Sequence, residues 1–154
     1  MQNKQKTPSQ SFTTQVHIVG HADLNGYKRL FGGKIMSWID IVAGVAARRH
    51  SECNVTTVAV DDLRFLKSAR ANDMIVLEAA VTYTGRTSME VHVKTFVEEN
   101  SGARTLINDA YLVMVALDEN EHPTPVPKLI PETEEEKQEY EAGKARQAAR
   151  LARA

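Results

Sequence analysis

Apolar positions recur at two periods along this chain, and the changes of period outline its elements. Over residues 33–49 they fall at Ile35, Ile39, Val42, Ala43 and Ala46, the i, i+3/i+4, i+7 spacing of a helix that turns one stripe to a core. Elsewhere they alternate, as in strands with one buried face. The first such run is 12–19, with Phe12, Val16 and Ile18 on one side. In 74–83, Ile75, Leu77, Ala79, Val81 and Tyr83 oppose Val76, Glu78 and Thr82, and in 89–97 Met89, Val91, Val93 and Val97 oppose Glu90, His92 and Lys94. Residues 55–66 are rich in β-branched side chains, and Asp61, Asp62 and Arg64 predict that the far half is exposed or bulged. A long last strand, 104–117, is apolar on both faces from 110 to 116, as a strand covered on both sides would be.

The intervening segments are turns. Asn25-Gly26, Thr84-Gly85-Arg86-Thr87 and Asn100-Ser101-Gly102 punctuate the runs, and 118–131 holds four of the five prolines. Residues 1–11 are polar and predict a flexible tail, 12–130 a single domain, and 132–154 a charged helix. That helix carries Glu132, Glu134, Glu135 and Glu136 first and Lys144, Arg146, Arg150 and Arg153 last, an order that matches the helix dipole; its bases are expected in solvent, as are His92 and Lys94 unless an interface covers them. One long helix with a mainly antiparallel sheet is an α+β arrangement, the sheet wrapping around the helix to bury its stripe.

Composition narrows the function classes. The 154 residues suffice for one sizeable core, and a net charge of −1 without a basic face disfavours nucleic acid as a partner. Cys53 is the single cysteine, which suits a reducing cytoplasm, and no apolar run approaches the ~18 residues of a membrane span. The first residues lack the apolar core of a signal peptide. Gly-x-Ser-x-Gly, Walker, Gly-x-Gly-x-x-Gly and His-Glu-x-x-His patterns are missing, and His17 and His21 have no partner at ligand spacing, so no metal site is expected.

The candidate chemistry gathers on the central helix. Asp40 sits about 20° beyond the edge of its apolar stripe, where partial desolvation is expected to prepare a base. Gly32 and Gly33 open the helix, and free N–H groups there suit a developing negative charge. Asn25 adds an amide. A general base or nucleophile at Asp40, an oxyanion site at Gly33 and an orienting Asn25 suffice for a thioester, whose thiolate leaves with a pKa near 8.5 and needs no strong acid.

The segments Phe31-Gly32-Gly33-Lys34-Ile35-Met36-Ser37-Trp38-Ile39-Asp40, Ala46-Ala47-Arg48-Arg49-His50, Gly85-Arg86-Thr87-Ser88-Met89 and Val113-Met114-Val115-Ala116-Leu117-Asp118, with Val126-Pro127 beyond, resemble the hot-dog-fold acyl-CoA thioesterases over residues 12–130. The resemblance implies dimers whose sheets join edge to edge, sites shared between two copies, and a trimer of dimers. It implies that Asp40 is the catalytic carboxylate, that Gly33 faces the thioester carbonyl, and that Asn25 comes from the partner subunit. Arg86, Thr87 and Ser88 fall at the turn near the pantetheine and phosphates of coenzyme A, and Phe65, with Leu66 and Met36, where acyl-chain depth is set. The implied activity is hydrolysis of fatty acyl-CoA to free acid and coenzyme A in cytoplasmic lipid metabolism. Coenzyme A enters only as part of the substrate, with no separate cofactor. A non-catalytic acyl-CoA-binding module and an enoyl-CoA hydratase on the same fold are the alternatives; the second needs an Asp/His pair, for which His21 is the nearby candidate.

Overall fold

The structure, a computed structural model, describes residues 4–154. Its elements in chain order are β1 Gln5–Lys6, α1 Pro8–Ser11, β2 Thr13–Ile18, α2 Gly32–Ser51, β3 Asn54–Phe65, β4 Met74–Thr84, β5 Ser88–Glu98, β6 Arg104–Leu117, β7 Lys128–Leu129 and α3 Glu134–Arg153. Five strands form one antiparallel sheet in the order β2-β4-β5-β6-β3, so β2 and β3 are its edges. β3 slips register at Thr57/Ala59 and again at Val60/Asp62, the irregular far half that its acids predict.

The sheet curls around α2. Ile39, Val42, Ala43, Ala46 and Ala47 on the helix are at most 1% exposed, against Ile75, Leu77, Ala79 and Val81 of β4, Met89, Val91 and Val93 of β5, and Ala110, Leu112, Met114 and Ala116 of β6. The alanines let the helix backbone approach the sheet while the branched and long side chains fill the space between them. The predicted stripe and the predicted faces of β5 and most of β4 are those observed. However, β2 turns Phe12, Val16 and Ile18 outward and Thr13 and His17 inward, and a register shift after Val81 carries Tyr83 to the outer face, against Tyr140.

Two expectations at the termini need correction. Residues 1–3 of the expected flexible tail lie outside the described residues, but the remainder is docked. β1 pairs in parallel with β7, Pro8 and Ser11 are buried, and Lys6 Nζ donates to the carbonyl of Arg49 at 2.9 Å at the end of α2. A cation at the negative end of a helix has reason to stay there.

Arg146, Arg150 and His92 depart from the expected solvated set, while Lys144 and Arg153 are exposed as expected. α3 begins with a Thr133–Glu136 capping box and lies on the outer face of the sheet, opposite α2. Gly143 makes that approach possible, since a Cβ there would stand 2.7 Å from Cβ of Tyr83 and 2.8 Å from Oε1 of Glu90. Arg146 donates to both oxygens of the buried Glu90 at 2.7 and 2.9 Å and stacks on Tyr111, and Arg150 pairs with Asp61. His92 is covered by Tyr111 and bridges Asp109 (2.5 Å) and Glu139 (3.0 Å). Burial opposes its charged form, but the two carboxylate hydrogen bonds prevail and hold its pKa above the ordinary histidine value.

Candidate active site

α2 starts without a side-chain cap. Phe31 occupies the N-cap position, Lys34 and Ile35 donate to its carbonyl, and the N–H groups of Gly32 and Gly33 meet no acceptor among the described residues. These two amides are the positive end of a 20-residue helix. Aromatic rings crowd them: a Cβ on Gly33 would lie 2.6 Å from the ring of Phe31, and one on Gly32 3.7 Å from that of Phe65. Glycine keeps this backbone open to a bound group.

Beside the helix start is a cleft of about 240 Å³ whose walls include Asn25, Gly32, Ile35, Phe65 and Leu66. The sequence-predicted Asn25, Gly32 and Phe65 are thus brought together. Asn25 Oδ1 is occupied, accepting from the backbone N–H of Tyr27 (2.8 Å) and Arg29 (3.2 Å). Those donors fix the orientation of the amide, so its NH₂ end is the one free to donate.

Asp40 lies elsewhere. It is seven residues beyond Gly33, roughly 10 Å further along α2, and does not line the cleft. Its side chain is exposed in the single chain, which corrects the expected partial desolvation: the stripe-edge position faces the β3 edge, where this chain offers no further layer. Thr57 on that strand donates its hydroxyl to Asp40 Oδ1 at 2.7 Å. No Lys, Arg or His pairs with Asp40 among the described residues, so its second oxygen is available. Thr57 is a candidate site residue that the sequence patterns do not single out. Nothing local marks it, because its tie to Asp40 depends on how β3 passes the helix.

Arg86, Thr87 and Ser88 form a third group, at the opposite end of the sheet from the cleft. Ser88 pairs with Val115 while Phe65 pairs with Asn108, roughly 23 Å apart along β6. Arg86 is exposed and makes no ion pair among the described residues, and the backbone carbonyls of Arg86 and Thr87 accept from Val126 and Ala116. One chain therefore presents an uncapped helix start with an amide donor, a carboxylate held by a hydroxyl, and a basic turn, all apart from one another. Larger clefts of about 560, 620 and 340 Å³ involve Arg48 and Leu117 in the first, Asn72, Glu98 and Ser101 in the second and Ser51 and Pro127 in the third, and none reaches Asp40 or Gly33.

Two of the remaining histidines pack into the fold. His17 stacks on Trp38 at 4.1 Å and His50 Nε2 meets the carbonyl of Pro127 at 2.7 Å; burial lowers the pKa of both. His21 is exposed in the turn that follows β2. No helix is long and apolar enough to cross a membrane among the described residues.

Comparison with known proteins gives consistent matches. Residues 27–103 match the thioesterase superfamily. An uncharacterized acyl-CoA thioester hydrolase of Bacillus subtilis is 41% identical over 137 residues, 85% of this chain and 80% of that protein. An apo-hexameric acyl-CoA thioesterase superposes with a TM-score of 0.93 at 40% identity, covering 97% of each chain. An acyl-CoA hydrolase of Staphylococcus aureus, solved with butyryl coenzyme A, coenzyme A and coenzyme A disulfide, superposes with a TM-score of 0.91 at 33% identity over 97% of this chain and 92% of its own. That hydrolase has also been solved as separate variants with an asparagine, an aspartate or a threonine changed to alanine.

Proposed function

This chain belongs to the thioesterase superfamily and is an acyl-CoA thioester hydrolase, and we propose from that premise that it cleaves fatty acyl-CoA at a site shared by two copies. One copy supplies Asp40 and Thr57; the other supplies Asn25 and the α2 start. The separation of these groups within one chain supports the division, because neither cleft nor helix geometry brings Asp40 to its own chain's Asn25.

The thioester carbonyl enters the cleft at Gly32, next to Gly33 at the helix start. Their free N–H groups and the NH₂ of Asn25 receive the oxygen as it gains negative charge, an arrangement whose individual donors are typically worth about 10²–10³ in rate. Thr57 pins Asp40 Oδ1, which leaves Oδ2 to take a proton from water as the water oxygen bonds to the acyl carbon. In the alternative covalent course, Oδ2 attacks that carbon itself. Collapse of the tetrahedral intermediate breaks the C–S bond and releases coenzyme A as its thiolate, a leaving group stable enough to depart without an acid. The reading requires no separate cofactor.

The observation that carries this reading is the Thr57–Asp40 hydrogen bond on the helix whose start is uncapped. A second one supports it. The asparagine, aspartate and threonine changed in the Staphylococcus aureus hydrolase stand at the same mutual spacing as Asn25, Asp40 and Thr57. Hydration of an enoyl thioester fits less well, since His21 is exposed and bonded to no carboxylate.

Arg86, Thr87 and Ser88 would receive the coenzyme's phosphates and pantetheine, for which an unpaired guanidinium and hydroxyls are suited. The dimer would form along β3, and three dimers would make a hexamer like that of the apo-hexameric relative. Its place would be the cytoplasm, in lipid metabolism. The direct test is thiol release from a panel of acyl-CoAs from acetyl to palmitoyl. Asp40→Asn should lower turnover at least about a hundredfold while assembly and coenzyme A binding persist; parental turnover in that variant would remove Asp40 from the chemistry.

A further inference from the structure

The inner faces of the central strands β4, β5 and β6 are largely apolar, and one polar pair on them has no partner among the described residues. Thr95 of β5 and Asn108 of β6 are paired across their strands, and both are 0% exposed. The hydroxyl of Thr95 and both the Nδ2 and Oδ1 of Asn108 have no hydrogen-bond partner among the described residues. Three buried polar atoms left unpaired in one spot carry a desolvation cost that an ordinary core avoids, and Leu or Val would fit such a position without it.

Position relates the pair to the cleft. Asn108 also pairs with Phe65 of β3, so Phe65, Asn108 and Thr95 form one row across three neighbouring strands, spaced by about 5 Å. Phe65 lines the cleft, its ring rests against Gly32, and the residue is 51% exposed, so the ring is not locked in place. The cleft alone, at about 240 Å³, is smaller than a typical complete ligand site and holds one end of a substrate. Leu30 and Ile35 make its walls apolar, and Asn108 stands beside Phe65 on the next strand.

We propose that Asn108 and Thr95 are the far end of the acyl subsite, reached when Phe65 turns aside, and that they select acyl groups bearing a hydroxyl or carbonyl over plain aliphatic ones of equal length. The inference rests on the reading of the Gly32–Phe65 cleft as the acyl site. Asn108 offers both a donor and an acceptor and Thr95 a hydroxyl, so a substrate hydroxyl can be satisfied in both senses. An alkyl end would leave all three atoms unpaired, and that difference is what discriminates.

The test is kcat/KM by thiol release for hexanoyl-CoA against 3-, 5- and 6-hydroxyhexanoyl-CoA, for the parent, Asn108→Leu and Thr95→Val. The parent should prefer at least one hydroxylated substrate by about tenfold, the scale of one satisfied hydrogen bond. Each variant should abolish that preference by losing the hydroxylated substrate while keeping or raising hexanoyl turnover. Thr95→Val nearly preserves volume, so it carries the test if Asn108→Leu fails to fold. Equal rates on all four substrates in the parent, or a parental ratio in a folded variant, would overturn the inference while leaving thioester hydrolysis standing. Hydrolysis of none of them would instead count against the acyl-CoA reading itself.

Discussion

Asp40 and Thr57 show how unevenly single residues announce themselves. An acid beside an apolar helical stripe is conspicuous, and so is a pair of glycines opening the same helix. Thr57 is one of several β-branched residues in a strand and acquires meaning only through its 2.7 Å hydrogen bond to Asp40, set by a strand that slips register just past that point. If that bond orients the carboxylate, Thr57→Val should lower kcat about tenfold with little change in KM or melting temperature. Steady-state rates with a short acyl-CoA check this, and an unchanged kcat would make the contact incidental. Sequence also placed Asp40 in a partly desolvated setting, whereas one chain leaves it exposed; no pattern along a helix reports what a second copy covers.

Among the elements, α2 and the strands were legible because burial repeats at their own periods, and the observed bounds differ by one or two residues from those expected. α3 was legible as a helix but not in its role. Glu139, Gly143, Arg146 and Arg150 recur at helical spacing and face the sheet, yet their partners Glu90, His92 and Asp61 come from two distant strands. A charged stripe seeking counter-ions and one seeking water look alike in sequence.

The His92 bridge gives that packing a pH signature. His92 has its pKa raised, so what it contributes is fully present below the unfolded value of 6.5 and is lost as pH rises through the higher folded value. Glu139, half-buried but held by His92 and Tyr111, has its pKa lowered, so its share is present above the unfolded value of 4.5 and lost as pH falls through the lower folded one. The bridge is therefore strongest between those two unfolded values. His17 and His50, with lowered pKa, act oppositely and favour the fold at higher pH, so the bridge has to be isolated by difference. His92→Gln should melt below the parent by about 2–4 °C near pH 5–6, with the gap closing as the solution is made alkaline. A gap independent of pH would mean that the ring packs without its charge.

At the scale of the molecule, the sheet leaves a long edge open. β3 is 12 residues long and paired on one side only, with Val58 55% and Val60 42% exposed, the kind of edge that joins another. Val58→Lys should shift sedimentation toward monomer and reduce hydrolysis with it, whereas an intact assembly would move the dimer contact away from β3. The general architecture could be read from the chain, but the site could not be completed from it, since its parts lie roughly 10 Å and more apart in one copy.

Co-assembly tests that division most directly. Asp40→Asn and Asn25→Ala, each nearly inactive alone, should regain activity when refolded together, because a mixed dimer contains one site with both Asp40 and Asn25 and one with neither. Random pairing makes half of the dimers mixed, so thiol release should return to about a quarter of the parental rate. A mixture that stays as inactive as its components, with mixed dimers shown to be present, would place Asp40 and Asn25 in the same chain's site and contradict the account.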